Sequence, residues 1–309
     1  MENPLYQKDI LSIHELSLHH IQLILNTAKH LKENPKPHLL QGKIIAHCFF
    51  EPSTRTRLSF ESATLRLGGQ VIGFSSDDGL STKKGETLHD TMRVISEYAD
   101  SIVIRHPREG AARLTADLSD KPVINAGDGA NQHPTQALID LFTIQECQER
   151  LDGLHIALVG DLKHARAIHS LVQACSFFNI RLYLVSPEAL TLPEPLCDTL
   201  KKQGVRFSFH RSLEEVLPKI DILYITRIQQ ERFSDNSALS LKNEYSVTPA
   251  LLANLKIKSN LKILCPLPRI HEIDVSVDNS PYSYYFAQAG NGVPVRQALL
   301  ALLLTEAPL

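Results

Sequence analysis

This sequence predicts an α/β protein of two domains, each a parallel β-sheet covered by helices, joined by two long interdomain helices. Its 309 residues are enough for two cores of ordinary size. From about residue 43 onward, short apolar runs alternate with helix-like stretches, the pattern of parallel strands under covering helices. Those runs fall into two groups on either side of a strongly apolar helical segment.

In the first group, KIIAHCFF (43–50), QVIGF (70–74), SIVIR (101–105) and PVINA (122–126) read as short buried strands. Polar or glycine-bearing connections follow each. Next, PTQALIDLFTIQECQER (134–150) opens on proline, which a first helical turn tolerates, and carries apolar Leu138, Leu141, Phe142 and Ile144; it reads as a bridging helix. The second group repeats the pattern with LHIALVG (154–160), RLYLV (181–185), VRFSF (205–209), DILYITR (221–227) and KILCPLP (262–268). Glycine-rich AGNG (289–292) then precedes VPVRQALLALLLTE, whose apolar content suits a helix buried between layers and packed back onto the first domain. The expected division is residues 1–133 with 290–309, a bridging helix over 134–150, and a second domain over 151–289.

Hydrophobic residues make up 43% of the chain and charged residues 21%, ordinary for a globular protein. Lys plus Arg (32) nearly balance Asp plus Glu (34), so a net charge of −2 offers no general field for nucleic acid or an anionic membrane. Any anion site must be local. The start, MENPLYQKDI, has no apolar core with basic flanks, and no run is long enough to span a bilayer, which predicts a cytoplasmic protein. The five cysteines (Cys48, Cys147, Cys175, Cys197, Cys265) are scattered and never paired at zinc spacing. Buried free thiols are expected, and neither a metal site nor a cofactor is.

The stretch FFEPSTRTRLSFESATLRLGG (49–69) is the most informative about chemistry. An apolar strand ends at Glu51, Pro52 blocks its continuation, and Ser53, Thr54, Arg55 and Thr56 open a helix that closes at Gly68 and Gly69. The first amides of a helix are unpaired and its N-terminal end is partly positive, so three hydroxyls and a guanidinium there can enclose a phosphate. An ordinary serine cap beside solvated arginines is the plainer alternative. Ligands of open α/β sheets bind outside the carboxyl ends of strands, and two more strand ends could converge here. Arg105 closes SIVIR; His133 and Gln136 follow PVINA, in GDGANQHPTQ. A capping or surface role stays open for the histidine.

The polar loop SSDDGLSTKKGETLHD (75–90) is too long for a tight connection and places Ser81, Lys83 and Lys84 on either a lid or a solvated surface. In DILYITRIQQER, Arg227 and Gln229 lie two apart and would share a face in extended chain. CPLPR (265–269) has two prolines, which leave nearby carbonyls available as acceptors and allow a cis bond at Leu267-Pro268.

Together these residues resemble the transcarbamoylase family, and within it the aspartate carbamoyltransferase catalytic chains. The likeness runs nearly end to end: NPLYQKDI, RHPREGAARL, NAGDGANQHPTQ, VGDLKHAR, CPLPR and AGNGVPVRQALL occur in that order. It implies transfer of a carbamoyl group from carbamoyl phosphate to the amino group of L-aspartate, with no metal or cofactor. It implies that Ser53, Thr54, Arg55 and Thr56 form the carbamoyl phosphate loop and that Arg105 binds both the phosphate and the carbonyl side. By the same likeness His133 hydrogen-bonds the carbonyl oxygen, and Gln136 and the Leu267 carbonyl, beside Pro268, contact the carbamoyl nitrogen. Arg166, Arg227 and Gln229 would hold the two carboxylates of aspartate, together with Lys84. Ser81 and Lys84 match residues that reach into a neighbouring subunit's site, which implies a homotrimer with shared active sites. HPREGAARL is similar to chains that associate with separate regulatory subunits. Cys265 stands where the family often has histidine, and it removes none of these ligands.

Those residue types suit the reaction. Attack of an amine on a carbonyl carbon builds negative charge on oxygen as phosphate departs; Thr56, Arg105 and His133 would stabilise it, at on the order of 3 kcal/mol per well-placed donor. Positioning two small anions contributes roughly 7 to 11 kcal/mol more. No side chain stands out as base for the ammonium proton, and departing phosphate is the expected acceptor. Ornithine carbamoyltransferase shares the Ser-Thr-Arg-Thr-Arg loop but takes a cationic second substrate; Pro-Leu-Pro-Arg, Lys83 with Lys84, and Arg227 with Gln229 favour a dianion. A catalytically silent binding subunit is the other rival, although the polar groups needed for turnover are present. A dinucleotide site in VGDLKHAR lacks the required glycine pattern.

Overall fold

The computed structural model describes residues 3–75, 85–228 and 245–307. Its chain divides into two units, Met1–Phe142 with Asn291–Leu309, and Thr143–Gly290.

In the first unit, α1 (Leu18–Glu33) starts from a capping box between Ser17 and His20 and buries Ile21, Ile24, Leu25, Ala28 and Leu31 at helical spacing. Then β1 (Ile44–Phe49), α2 (Thr54–Arg66), β2 (Gln70–Ser75), α3 (Leu88–Tyr98), β3 (Ser101–His106), α4 (Ala111–Leu118) and β4 (Val123–Asp128) alternate along the chain. The four strands are parallel, in the order β2-β1-β3-β4. Strands β1, β3 and β4 are mostly buried, which is why they appear in sequence as largely apolar runs without strict alternation. The chain leaves β1 for β2 on one side and returns to β3 on the other, so a topological switch point lies between β1 and β3. Register pairs Phe49 with Arg105 and His106 with Asp128, which sets three carboxyl ends side by side.

Helix α5 (Pro134–Gln148) carries the chain across the division between the units. The second unit continues with β5 (His155–Val159), α6 (Arg166–Cys175), β6 (Arg181–Val185), α7 (Glu194–Lys202), β7 (Arg206–His210), β8 (Ile222–Ile225), α8 (Pro249–Asn254) and β9 (Lys262–Leu264). Its parallel order is β7-β6-β5-β8-β9, with the switch point between β5 and β8. Val159, Val185, Leu217, Leu223, Ile225, Ile263 and Tyr285 belong to its core. Helix α9 (Tyr285–Leu304) crosses the division again.

Among the boundaries that differ from the sequence reading are the start of the last helix and the ends of two strands. AGNG was expected to precede the last helix, but Gly290, Gly292 and Pro294 all lie inside α9. Burial of that helix outweighs their poor helix propensity. Strands expected to reach Arg227 and Pro268 stop at Ile225 and Leu264; in the second case Pro266 and Pro268 cannot donate to a ladder. Among the described residues no helix is long and apolar enough to cross a membrane.

Candidate active site

Ser53 is extended (φ −158°, ψ 101°), and its Oγ accepts the Thr56 amide at 3.4 Å, so the chain enters α2 through a serine cap. A helix start presents four amide donors without intrahelical partners, and this bond serves one of them. Thr54 and Arg55 are exposed, Ser53 is half-buried and Thr56 is buried. Just before the loop, Glu51 pairs with Arg105 across adjacent strand ends, Oε2 to Nε 3.3 Å, and the arginine side chain is only 12% exposed. Arg105 Nη1 also donates to the Ala126 carbonyl at 3.4 Å. The guanidinium is therefore fixed by the ends of both neighbouring strands.

The turn after β4 is organised around buried Asp128. Its carboxylate accepts from Asn125 Nδ2 at 2.9 Å, the Gly110 amide at 3.0 Å, the Gln132 amide at 3.2 Å and Asn131 Nδ2 at 3.2 Å. Gly129 stands at φ +54°, where a Cβ would lie 2.5 Å from Glu109 Cγ, so the turn needs glycine. It delivers His133, buried, with Nδ1 3.4 Å from Thr135 Oγ1, and Gln136, whose Nε2 donates to Asp140 Oδ1 at 2.8 Å. Within the first unit, then, Ser53 to Thr56, Arg105, and His133 with Gln136 follow three adjacent strand ends.

The second unit offers a counterpart. Gly160 follows β5 at φ +110°, and a Cβ there would sit 2.2 Å from the Thr226 carbonyl oxygen; glycine lets the ends of β5 and β8 approach. Fully buried Asp161 accepts the His164 amide at 2.9 Å and lies 3.1 Å from His164 Nδ1, turning the chain toward α6. Arg166 is the first residue of α6, and Arg227 lies just beyond β8; both are half-buried. They flank the second switch point from its two sides. Gln229, Ser81, Lys83 and Lys84 lie outside the described residues.

The Leu267-Pro268 bond is cis, and Leu267 has φ +54°. Its amide donates to Cys265 Sγ at 3.4 Å, and the Cys265 amide donates to Gln288 Oε1 at 2.7 Å. Next along the chain, Arg269 forks onto Asp278, with Nη2 to Oδ2 at 2.6 Å, and packs 5.1 Å from the Tyr285 ring centroid. Hydrogen bonding by Arg269 holds the Asp278 carboxyl below its ordinary range, and Asp278 in turn pushes the guanidinium up. The proline turn is thus tied to α9 residues of its own unit.

Two models of one family match successive parts of the chain. The aspartate/ornithine carbamoyltransferase carbamoyl-P binding domain matches residues 8–146, and the Asp/Orn binding domain matches residues 152–303. The chain belongs to the aspartate/ornithine carbamoyltransferase family. Within that family it is similar to the aspartate carbamoyltransferase catalytic subunit of Vibrio campbellii, at 56% identity over 309 residues and 99% of each chain. Among solved structures it resembles the catalytic subunit of M. jannaschii aspartate transcarbamoylase, with a TM-score of 0.88 at 48% identity, covering 95% of this chain and 97% of that one. It also resembles the Trypanosoma cruzi aspartate transcarbamoylase in complex with carbamoyl phosphate and aspartate, with a TM-score of 0.91 at 37% identity over 98% of each chain.

The carbamoyltransferase fold adds residues that sequence reasoning missed. Asp128 organises the His133 turn, and Glu51 pairs with Arg105. Arg296 donates from α9 to Ser59 Oγ and lies 4.7 Å from the Phe60 ring centroid. Burial, with the nearby Arg105 charge second, pushes its pKa down to about 9, which still leaves it charged at neutral pH. One signal was visible: the single charge in the run VPVRQALLALLL, where Arg296 and Gln297 are the polar residues.

Proposed function

We propose that the chain transfers the carbamoyl group of carbamoyl phosphate to the amino group of L-aspartate, giving N-carbamoyl-L-aspartate and phosphate for pyrimidine nucleotide synthesis. The observation that carries this reading is the pair of arginines, Arg166 and Arg227, flanking the second switch point. An amino acid with a side-chain carboxylate needs cations there; the cationic side chain of ornithine would be repelled.

In this reading Ser53, Thr54, Arg55 and Thr56 bind the phosphate through hydroxyls, a guanidinium and the amides of a helix start. Thr56, Arg105 and His133 stabilise the oxyanion that forms as the amine attacks. In the tautomer that carries its proton on Nε2, His133 accepts from Thr135 Oγ1 at Nδ1, 3.4 Å away, and donates a hydrogen bond from Nε2 to the carbonyl oxygen. Gln136 and the Leu267 carbonyl, beside Pro268, receive the carbamoyl nitrogen. Arg166, Arg227, Gln229 and Lys84 hold the aspartate carboxylates. The carbonyl carbon gains its bond to nitrogen, the bond to the phosphate oxygen breaks, and the departing phosphate takes the ammonium proton.

The decisive assay mixes purified protein with carbamoyl phosphate and either L-aspartate or L-ornithine and measures carbamoylated product and phosphate. Carbamoyl aspartate formed from aspartate alone is the expected result; product from ornithine overturns the substrate assignment. Ser81 and Lys84 are proposed to act in a neighbouring subunit of a cytoplasmic homotrimer. Mixing Lys84→Ala chains with Arg105→Ala chains should then restore part of the activity, and mixtures as inactive as their parents would count against sharing. Association with separate regulatory subunits is checked by the size of the complex recovered from native extract.

A further inference from the structure

We infer that Arg296 is a positioning residue of the carbamoyl phosphate half-site, holding the first turn of α2 from behind through Ser59. This rests on the carbamoyl transfer reading above. Ser59 Oγ lies 2.5 Å from the carbonyl oxygen of Arg55 and 3.1 Å from that of Thr56. Arg296 Nη1 donates to the same Oγ from α9. A hydroxyl that accepts from a guanidinium keeps its own proton for a carbonyl, so guanidinium, hydroxyl and carbonyls form one relay into the backbone of the phosphate loop. The guanidinium also rests on the Phe60 ring, 4.7 Å from its centroid. Two consecutive α2 side chains, Ser59 and Phe60, therefore hold one side chain of α9.

The fold reserves space for this contact. At Gly292, one turn before Arg296, a Cβ would stand 2.8 Å from Arg296 Nη1. Arg296 is 3% exposed and its Nε has no hydrogen-bond partner among the described residues, where no carboxylate pairs with it either. A buried cation of this kind needs compensation, and its strongest charged neighbour is another cation, Arg105. An incoming phosphate dianion supplies the missing countercharge. Arg296 thus serves the loop twice, by the Ser59 link and by the field it adds behind Arg105.

The experiment combines steady-state kinetics with calorimetric titration of inorganic phosphate on the full-length protein. Wild type must first form carbamoyl aspartate and bind phosphate; failure there overturns the carbamoyl transfer reading and this inference with it, whereas an active wild type whose variants keep native phosphate binding overturns only the inference. Arg296→Gln is expected to raise both the KM for carbamoyl phosphate and the Kd for phosphate about tenfold or more, while the KM for aspartate at saturating carbamoyl phosphate moves less than about twofold. Ser59→Ala keeps the charge and removes the link; it should raise the same two constants about threefold, with the double variant no worse than Arg296→Gln alone. Arg296→Lys should recover part of the phosphate affinity. Native phosphate binding in a variant that melts like wild type would overturn the inference, as would equal losses for both substrates. Should Arg296→Gln fail to fold, Ser59→Ala decides alone.

Discussion

At the β1/β3 switch point the candidate residues rest on a braced floor: Thr56, His133 and Asp128 are buried, Arg105 is paired with Glu51, and Ser53 caps the helix that follows. At the β5/β8 switch point the corresponding residues are two half-buried arginines, and α6 begins after Ala165 with no side-chain cap. The same topological position is occupied in both sheets, and its chemistry differs. On the proposed reading, a tetrahedral phosphate would be met by hydroxyls and backbone dipoles as well as arginines, whereas the carboxylates of an amino acid would be met by long cationic side chains. Topology supplies the place, and local residues supply the substrate class.

Substitutions that separate the two half-sites sharpen this contrast. Arg55→Ala should lower kcat about a thousandfold, since it removes a preset charge from the phosphate loop. A loss under tenfold in stopped assays would show that the loop amides suffice. Arg227→Ala should raise the KM for aspartate about a hundredfold, or about 3 kcal/mol of charged hydrogen bonding, while inorganic phosphate still titrates with native affinity. Weakened phosphate binding in that variant would break the division of labour.

The next effect concerns stability. Asp128→Ala leaves the Gly110 and Gln132 amides and the Asn125 side chain without their acceptor. Urea unfolding should show about 2 to 3 kcal/mol lost, and a change under about 1 kcal/mol would mean the turn is held by other contacts.

The smallest expected effect is a pH dependence. His47 on β1 is fully buried, with neither ring nitrogen hydrogen-bonded among the described residues. Burial, followed by the charges of Arg57 and Arg296, pushes its pKa from 6.5 down to about 3. The unfolded chain therefore binds this proton near pH 6.5 and the folded chain only near pH 3. Stability present above 6.5 falls as pH drops through that window, by about 2 kcal/mol between pH 6.5 and 5. Comparing unfolding of wild type and His47→Leu at those two pH values should show a flatter dependence in the variant; parallel curves would remove His47 as the cause.

Strands were legible because burial on both faces leaves a largely apolar run: RLYLV at 181–185 carries one charge, at its start, and β6 is Arg181–Val185. The serine cap and the cis bond before Pro268 were legible because each depends on adjacent residues. Sheet order was not, since nothing local in β1 records that β3 is its neighbour. The partners of Asp128 and the link from Arg296 to Ser59 were hidden for the same reason; Arg296 and Ser59 are separated by nearly the whole chain. Helix α9 departs most from the sequence reading, because burial of the helix outweighs the local preferences of Gly290, Gly292 and Pro294.

The first unit is closed by the end of the chain. Val295, Leu299, Leu302 and Leu303 of its C-terminal segment are buried, and Asn3 donates to the carbonyls of Leu302 and Thr305 at 2.7 and 2.9 Å. During synthesis, residues 143–290 leave the ribosome before residue 291, so the unit begun first is completed after the second one. A chain that stops short of residue 291 should therefore carry an unfinished first unit and a completed second one. Quality control would meet such a product as a half-folded protein.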